Sequence, residues 1–145
     1  MNYQVKNCEE KQFRGIAKTI PGKEIANASM VIGELWNTFH QTLVAAEPAI
    51  ITSPCIGLYT DYQTDGGYTV MVGSENLQGG LIEKTIPAGT YAVFSIHGDV
   101  QGAVMKAWEE INTMNLQRSY ICDYEEYLSG SDTKHMDINI YIGLK

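Results

Sequence analysis

The chain has 145 residues, enough for one ordinary domain that buries about two thirds of the surface its unfolded form exposes. Its 44% hydrophobic and 19% charged residues are globular values and exclude a disordered segment. A net charge of −7, with only ten Lys and Arg, argues against a direct nucleic-acid module, whose affinity rests on neutralising phosphates; a neutral or cationic partner is electrostatically easier.

In chain order, Tyr3 to Ala17 reads as a first extended segment, closed by the Pro21-Gly22 breaker. A helix follows from Ala28, with Ile32, Leu35, Trp36, Phe39 and Leu43 as its apolar face, Asn27 or Ser29 as candidate caps, and Pro48 beyond its end. IGLYTDY and YTVMVG read as two strands around a turn at Asp65-Gly66-Gly67. After the Gly79-Gly80 break, LIEKTIPAGTYAVFSIHG is one long extended stretch interrupted by Pro87 and Gly89. Asp99 then caps a second helix whose apolar stripe is Val100, Val104, Trp108 and Ile111. The chain closes with SYICDYEEYL, a turn at SGSD, and the strand MDINIYIGL.

Strand, helix, strand, strand therefore occurs twice, and Trp36 and Trp108 correspond at a period of about 70 residues, too long for a solenoid. The expectation is an α+β fold of duplicated βαββ units in one antiparallel-rich sheet with both helices on one face. It forms a single domain over residues 1–145, with pseudo-repeats of about 1–75 and 80–145. A pocket is expected at the junction, where Trp36, Phe39 and Trp108 face one another.

Most chemistries find no support. Cys8, Cys55 and Cys122 are far apart, no Cys or His has zinc spacing, and no phosphate loop or nucleophile elbow occurs, so neither a metal nor a cofactor is expected. The three thiols read as small buried or half-buried residues, and His97 as a turn residue before the second helix. The N-terminus lacks a signal peptide's apolar core, and no run reaches the roughly 18 residues of a membrane span. The expected location is cytoplasmic, with no membrane partner.

DYEEY, Asp123 to Tyr127, crowds three carboxylates into a strand. Alternation puts Asp123, Glu125 and Tyr127 on one face and Tyr124 and Glu126 on the other, and periodicity alone does not choose which face meets a cavity. A carboxylate inside an aromatic pocket would serve a cationic ligand as counter-ion, or act as general acid or base.

The segments LW..F at Leu35 to Phe39, GLY at Gly57 to Tyr59, IPAGTYAVF at Ile86 to Phe94, HG at His97-Gly98, Trp108, YEEY at Tyr124 to Tyr127, and INIYIGL resemble the gyrase-inhibitor-like (GyrI-like) family. That family also supplies the effector-binding domain of AraC- and MerR-type regulators. The resemblance implies an SH2-like duplicated fold with a ligand cleft between its halves, and it puts the family's recurrent acid on Glu125. The implied ligand is a lipophilic, planar or cationic small molecule, bound for sensing or detoxification by Trp36, Phe39, Tyr59, Tyr91, Trp108, Glu125 and Tyr127. Two alternatives accompany it: hydrolysis of reactive cyclopropane compounds, with Glu125 and Tyr127 as catalytic residues, and a protein-interaction module of the gyrase-inhibitor type. The compact TMNLQRSY departs from a longer Trp-Leu-Pro connection common in the family. The domain uses the whole chain, so no helix-turn-helix reader is expected within it.

Overall fold

The computed structural model describes residues 1–44, 54–75, 77, 81–128 and 134–145, with side chains 42–44 excepted. Its elements are β1 (Gln4–Cys8), β2 (Lys11–Ile20), α1 (Ala28–Thr38), β3 (Cys55–Thr60), β4 (Tyr68–Ser74), β5 (Ile82–Ile86), β6 (Gly89–Gly98), α2 (Gly102–Thr113), β7 (Arg118–Tyr127) and β8 (Met136–Leu144). A 3-10 turn over Gly22–Asn27 leads into α1 and a π turn over Phe39–Val44 continues it. The Leu43 side chain, Pro48, the Gly79-Gly80 break and the SGSD turn lie outside the described residues.

All eight strands form one antiparallel sheet in the order β1-β6-β8-β7-β3-β4-β2-β5. Exchanging β1 with β5, β2 with β6, β3 with β7 and β4 with β8 returns the same order read backwards, so the fold is symmetric about the β3–β7 seam. The expected first extended segment is in fact two strands, split at Glu9-Glu10, that stand six places apart in the strand order. β1 pairs with β6, whereas β2 pairs with β4. The stretch around Pro87 divides likewise, and β5 crosses back to pair with β2. Each half thus lends one edge strand to the other.

Local chemistry explains the joints. Gly66, at φ +93°, lets the β3–β4 loop turn, and Asp65 accepts the Gly67 N–H at 2.8 Å. Asp99 accepts the Gly102 and Ala103 N–H groups at 2.8 and 2.9 Å, capping α2 as its position suggests; these bonds hold its carboxyl below the usual range. Asn27 precedes α1 but makes no side-chain cap, because the 3-10 turn already feeds the helix.

Both helices cover the same face of the sheet. Ile32 and Leu35 of α1 pack on Ile20 and Val70, and Val104, Ala107 and Ile111 of α2 pack on Phe94, Ile138 and Ile140. The opposite face is equally dry, with Phe13, Leu58, Met71, Tyr91 and Tyr124 in one cluster. Among the described residues no helix covers it, and the sheet curls over itself. Lys11 of β2 reaches Glu126 of β7 at 3.6 Å, although three strand spacings on a flat sheet would separate those strands by about 14 Å.

Both other acids of DYEEY are buried as well. Asp123 and Glu126 look like residues free to be solvated, yet Asp123 is fully buried and Glu126 is 9% exposed. Glu126 is neutralised by Lys11. Asp123 is neutralised by Arg118 at 2.8 Å and accepts the Gly143 N–H and the Tyr62 hydroxyl.

Candidate functional site

Directly opposed residues form a row across the helix-covered face: Ile16, Val72, Gly57, Glu125, Ile140 and Phe94. One acid stands in a line of apolar residues and a glycine, beneath the gap between α1 and α2. The sequence offset that carries Gly57 onto Glu125 also carries Tyr59 onto Tyr127, so the axis relating the two halves passes through the Gly57–Glu125 pair.

Glu125 is 2% exposed. Its Oε1 accepts the Tyr127 hydroxyl at 2.8 Å, and its Oε2 accepts the Trp108 indole N–H at 2.6 Å and the Tyr59 hydroxyl at 3.2 Å. The aromatics brace one another crosswise. Trp36 of α1 meets Tyr127 of β7 edge-to-face at 5.2 Å, and Trp108 of α2 meets Tyr59 of β3 at 5.6 Å. Such pairs contribute about 0.5–1.5 kcal/mol each beyond the area they bury.

The electrostatics are one-sided. All three donors to Glu125 are neutral, and among the described residues no Lys, Arg or His forms an ion pair with it. Burial pushes its carboxyl above the usual range, and the bonds from Trp108, Tyr127 and Tyr59, in that order, pull it part of the way back. Burial, reinforced by the neighbouring carboxylate, holds the Tyr59 and Tyr127 phenols well above theirs, so both remain donors. Trp108→Phe would remove the strongest of the three bonds and keep an aromatic wall. The Glu125 carboxyl should then titrate at a higher pH, which carbon-13 chemical shifts of that side chain would register.

Trp36, Tyr59, Trp108, Tyr127 and Glu125 therefore come together. Phe39, fully buried in the first residue of the π turn, stands behind Trp36 at 6.2 Å. Tyr91 does not join them. It lies on the opposite face, its ring 5.7 Å from that of Tyr124 and its hydroxyl on the Pro87 carbonyl at 2.7 Å. His97 pairs with Asp137 across β6 and β8 at an exposed position.

Sequence reasoning missed three contributors. Gly57 matters for its lack of a side chain: a Cβ there would lie 3.1 Å from both Glu125 Oε1 and Trp36 Cζ2. His40 stacks on Trp36 at 5.9 Å, held below the usual imidazole range by burial. Tyr68, whose phenol burial and then Glu125 push up, flanks Tyr59. A separate open hollow of about 430 Å³ is lined by Thr60, Asp61, Tyr62, Lys84, Tyr120 and Ile121 among others. Its charges, Asp61 and Lys84, already neutralise each other at 3.0 Å.

Comparisons agree with this architecture. An integron cassette protein from the mobile metagenome of Vibrio cholerae superposes with a TM-score of 0.81 at 23% identity, covering 99% of this chain and 95% of that one. SAV2435, solved bound to tetraphenylphosphonium, gives 0.81 at 21% identity, covering 100% and 94%. The C-terminal domain of EcmrR gives 0.54 at 19% identity, covering 100% and 99%. No curated protein matches the sequence. The family model of the GyrI-like small molecule binding domain matches residues 1–145, and the chain belongs to that family.

Proposed function

We propose that this domain binds lipophilic organic cations, with Glu125 as their counter-ion and Trp36, Tyr59, Trp108 and Tyr127 as the walls. One observation carries the reading: the Glu125 carboxylate is buried among neutral donors, whereas Asp123 and Glu126 beside it each have a cation of their own. An uncompensated buried charge costs several kcal/mol, and a desolvated cation that replaces a proton there recovers much of it. Aromatic faces add about 0.5–2 kcal/mol each toward a cation and equally favour its apolar surface. The tetraphenylphosphonium bound by SAV2435, a protein of the same fold, is a cation of this class.

The test is the pH dependence of binding a permanent cation, whose own charge cannot titrate. Because the free carboxyl has a raised pKa, a bound cation must displace its proton at low pH. Affinity for tetraphenylphosphonium should be flat at high pH and fall, by up to about tenfold per pH unit, as pH drops through the raised value. Isothermal titration at several pH values reads this directly. A flat profile down to the onset of acid unfolding overturns the proposal.

Hydrolysis is a second reading, favoured by the same raised carboxyl. A Glu125 proton retained above the usual carboxyl range would be available to a leaving group, with the Tyr127 hydroxyl steadying the carboxylate left behind. Product formation from a strained-ring electrophile by native protein, lost in Glu125→Gln, would establish it; equal rates in both would remove it.

A further inference from the structure

The Trp108 indole occupies Glu125 Oε2 at 2.6 Å, and a ligand that reached that oxygen would displace it. Besides that bond, the helix carrying the indole is tied to the sheet by Arg118, outside the cage. Its Nη1 donates to Asn112 Oδ1 at 3.1 Å, on α2 just beyond Trp108, and its Nη2 pairs with Asp123 at 2.8 Å on β7. Its guanidinium carbon lies 5.9 Å from the Trp108 ring centroid and 4.5 Å from that of Tyr120. One planar cation thus bridges the helix that carries Trp108 and the strand that carries Glu125.

The backbone is shaped to allow this. The register of β7 with β8 slips between Arg118 and Asp123, and Tyr120 sits within the slip at φ +54°, a conformation a tyrosine seldom adopts. The bulge turns the Tyr120 ring onto Arg118. Arg118 Nε is buried without an acceptor among the described residues, so the grip is incomplete.

We propose that Arg118 is a positioning residue, holding Trp108 against Glu125 and so setting how fast an organic cation enters and leaves. The inference rests on the cation-binding reading for its consequence, and on Arg118 geometry for its mechanism. The competing role is a plain counter-ion for Asp123, which would leave Trp108 indifferent to the helix arm of the bridge.

Three variants of the full chain separate these roles. Asn112→Ala cuts only the arm to α2. Arg118→Lys keeps an ion pair with Asp123 but loses the planar fork. Arg118→Met with Asp123→Asn removes the bridge without leaving a buried carboxylate unpaired. The first readout needs no ligand: solvent exchange of the two indole N–H protons by NMR, assigned with Trp108→Phe. Each single variant should speed Trp108 exchange about tenfold, and the double variant more, with Trp36 unchanged. In stopped-flow binding of tetraphenylphosphonium, association and dissociation should accelerate together, moving Kd by less than about threefold.

Trp108 exchange within about twofold of native in all three variants overturns the proposal, as does equal acceleration of both indoles, which would report general loosening. Absence of tetraphenylphosphonium binding by the native chain would sink the cation-binding reading instead, and indole exchange would still decide the role of Arg118.

Discussion

Glu125→Gln should weaken binding of tetraphenylphosphonium by roughly 100-fold or more while leaving a neutral, equally lipophilic tetraaryl analogue within about threefold of native. Removing one partner of a buried charge pair typically costs about 3–5 kcal/mol, and the neutral analogue never formed that pair. The amide keeps the shape of the carboxylate, and its carbonyl can still accept the Trp108 indole N–H. Loss of fold is therefore not the expected cause, and stability provides an independent check. The Glu125 carboxyl has a raised pKa in the folded chain, so protonation favours folding. Its contribution is most favourable below the unfolded carboxyl pKa, declines as pH rises through the window up to the raised value, and is a net cost above it. Glu125→Gln removes that cost, so above neutral pH the ligand-free variant should melt no lower than native. Saturating phosphonium should raise the melting temperature of the native chain and not that of the variant. Comparable affinities of native and variant for the phosphonium would dismiss Glu125 as counter-ion.

The second large effect belongs to a residue with no side chain. Glycine within a strand ordinarily costs about 0.5–1 kcal/mol relative to alanine, so Gly→Ala in β3 should by default stabilise. At Gly57 the sign reverses. The added methyl would sit 3.1 Å from Glu125 Oε1 and from Trp36 Cζ2, within a buried row where overpacking costs about 1–3 kcal/mol. Gly57→Ala should lower the melting temperature by several degrees, displace Trp36, and alter the near-ultraviolet circular dichroism. Gly33→Ala is the internal control, because an added Cβ meets nothing within 4 Å on the exposed side of α1; there the helix should gain up to about 1 kcal/mol. A Gly57→Ala protein at least as stable as native would show that the cage has slack at its centre.

The parts of this site legible in the sequence are those that depend on local pattern. The helix spacing of Leu35, Trp36 and Phe39 and the resemblance around Tyr124–Tyr127 pointed to Glu125 and its aromatic neighbours. Alternation alone could not choose a face for DYEEY, and the curl explains why: both faces of β7 are buried, one under α2 and one under the folded-over sheet. The same cause hid the fates of Asp123 and Glu126. Their neutralising partners, Arg118 and Lys11, are delivered by a bulge and by a strand three places away, and neither is a matter of spacing. Tyr91 illustrates parity. It and Phe94, both in TYAVF, must point to opposite faces of β6, and Phe94 is the one beneath α2. The break at Glu9-Glu10 was readable as two consecutive poor strand formers, but the exchange of edge strands it permits was not, since pairing partners far apart in sequence leave no periodic trace.

The axis through Gly57 and Glu125 bears on how selective such a cage can be. Turning a bound cation by half a revolution exchanges Trp36 with Trp108 and Tyr59 with Tyr127, so each arm of the ligand meets the same kind of ring as before. The carboxylate, standing on the axis, attracts the charge equally in both poses. The match is one of ring type only, since Trp108 and not Trp36 donates to Glu125, but two poses close in energy would add up to about 0.4 kcal/mol of orientational entropy and weaken any demand for a particular outline. On the cation-binding proposal, ligands would then be ranked by charge and lipophilic bulk rather than by shape, a ranking that follows from giving one acid to two matching walls.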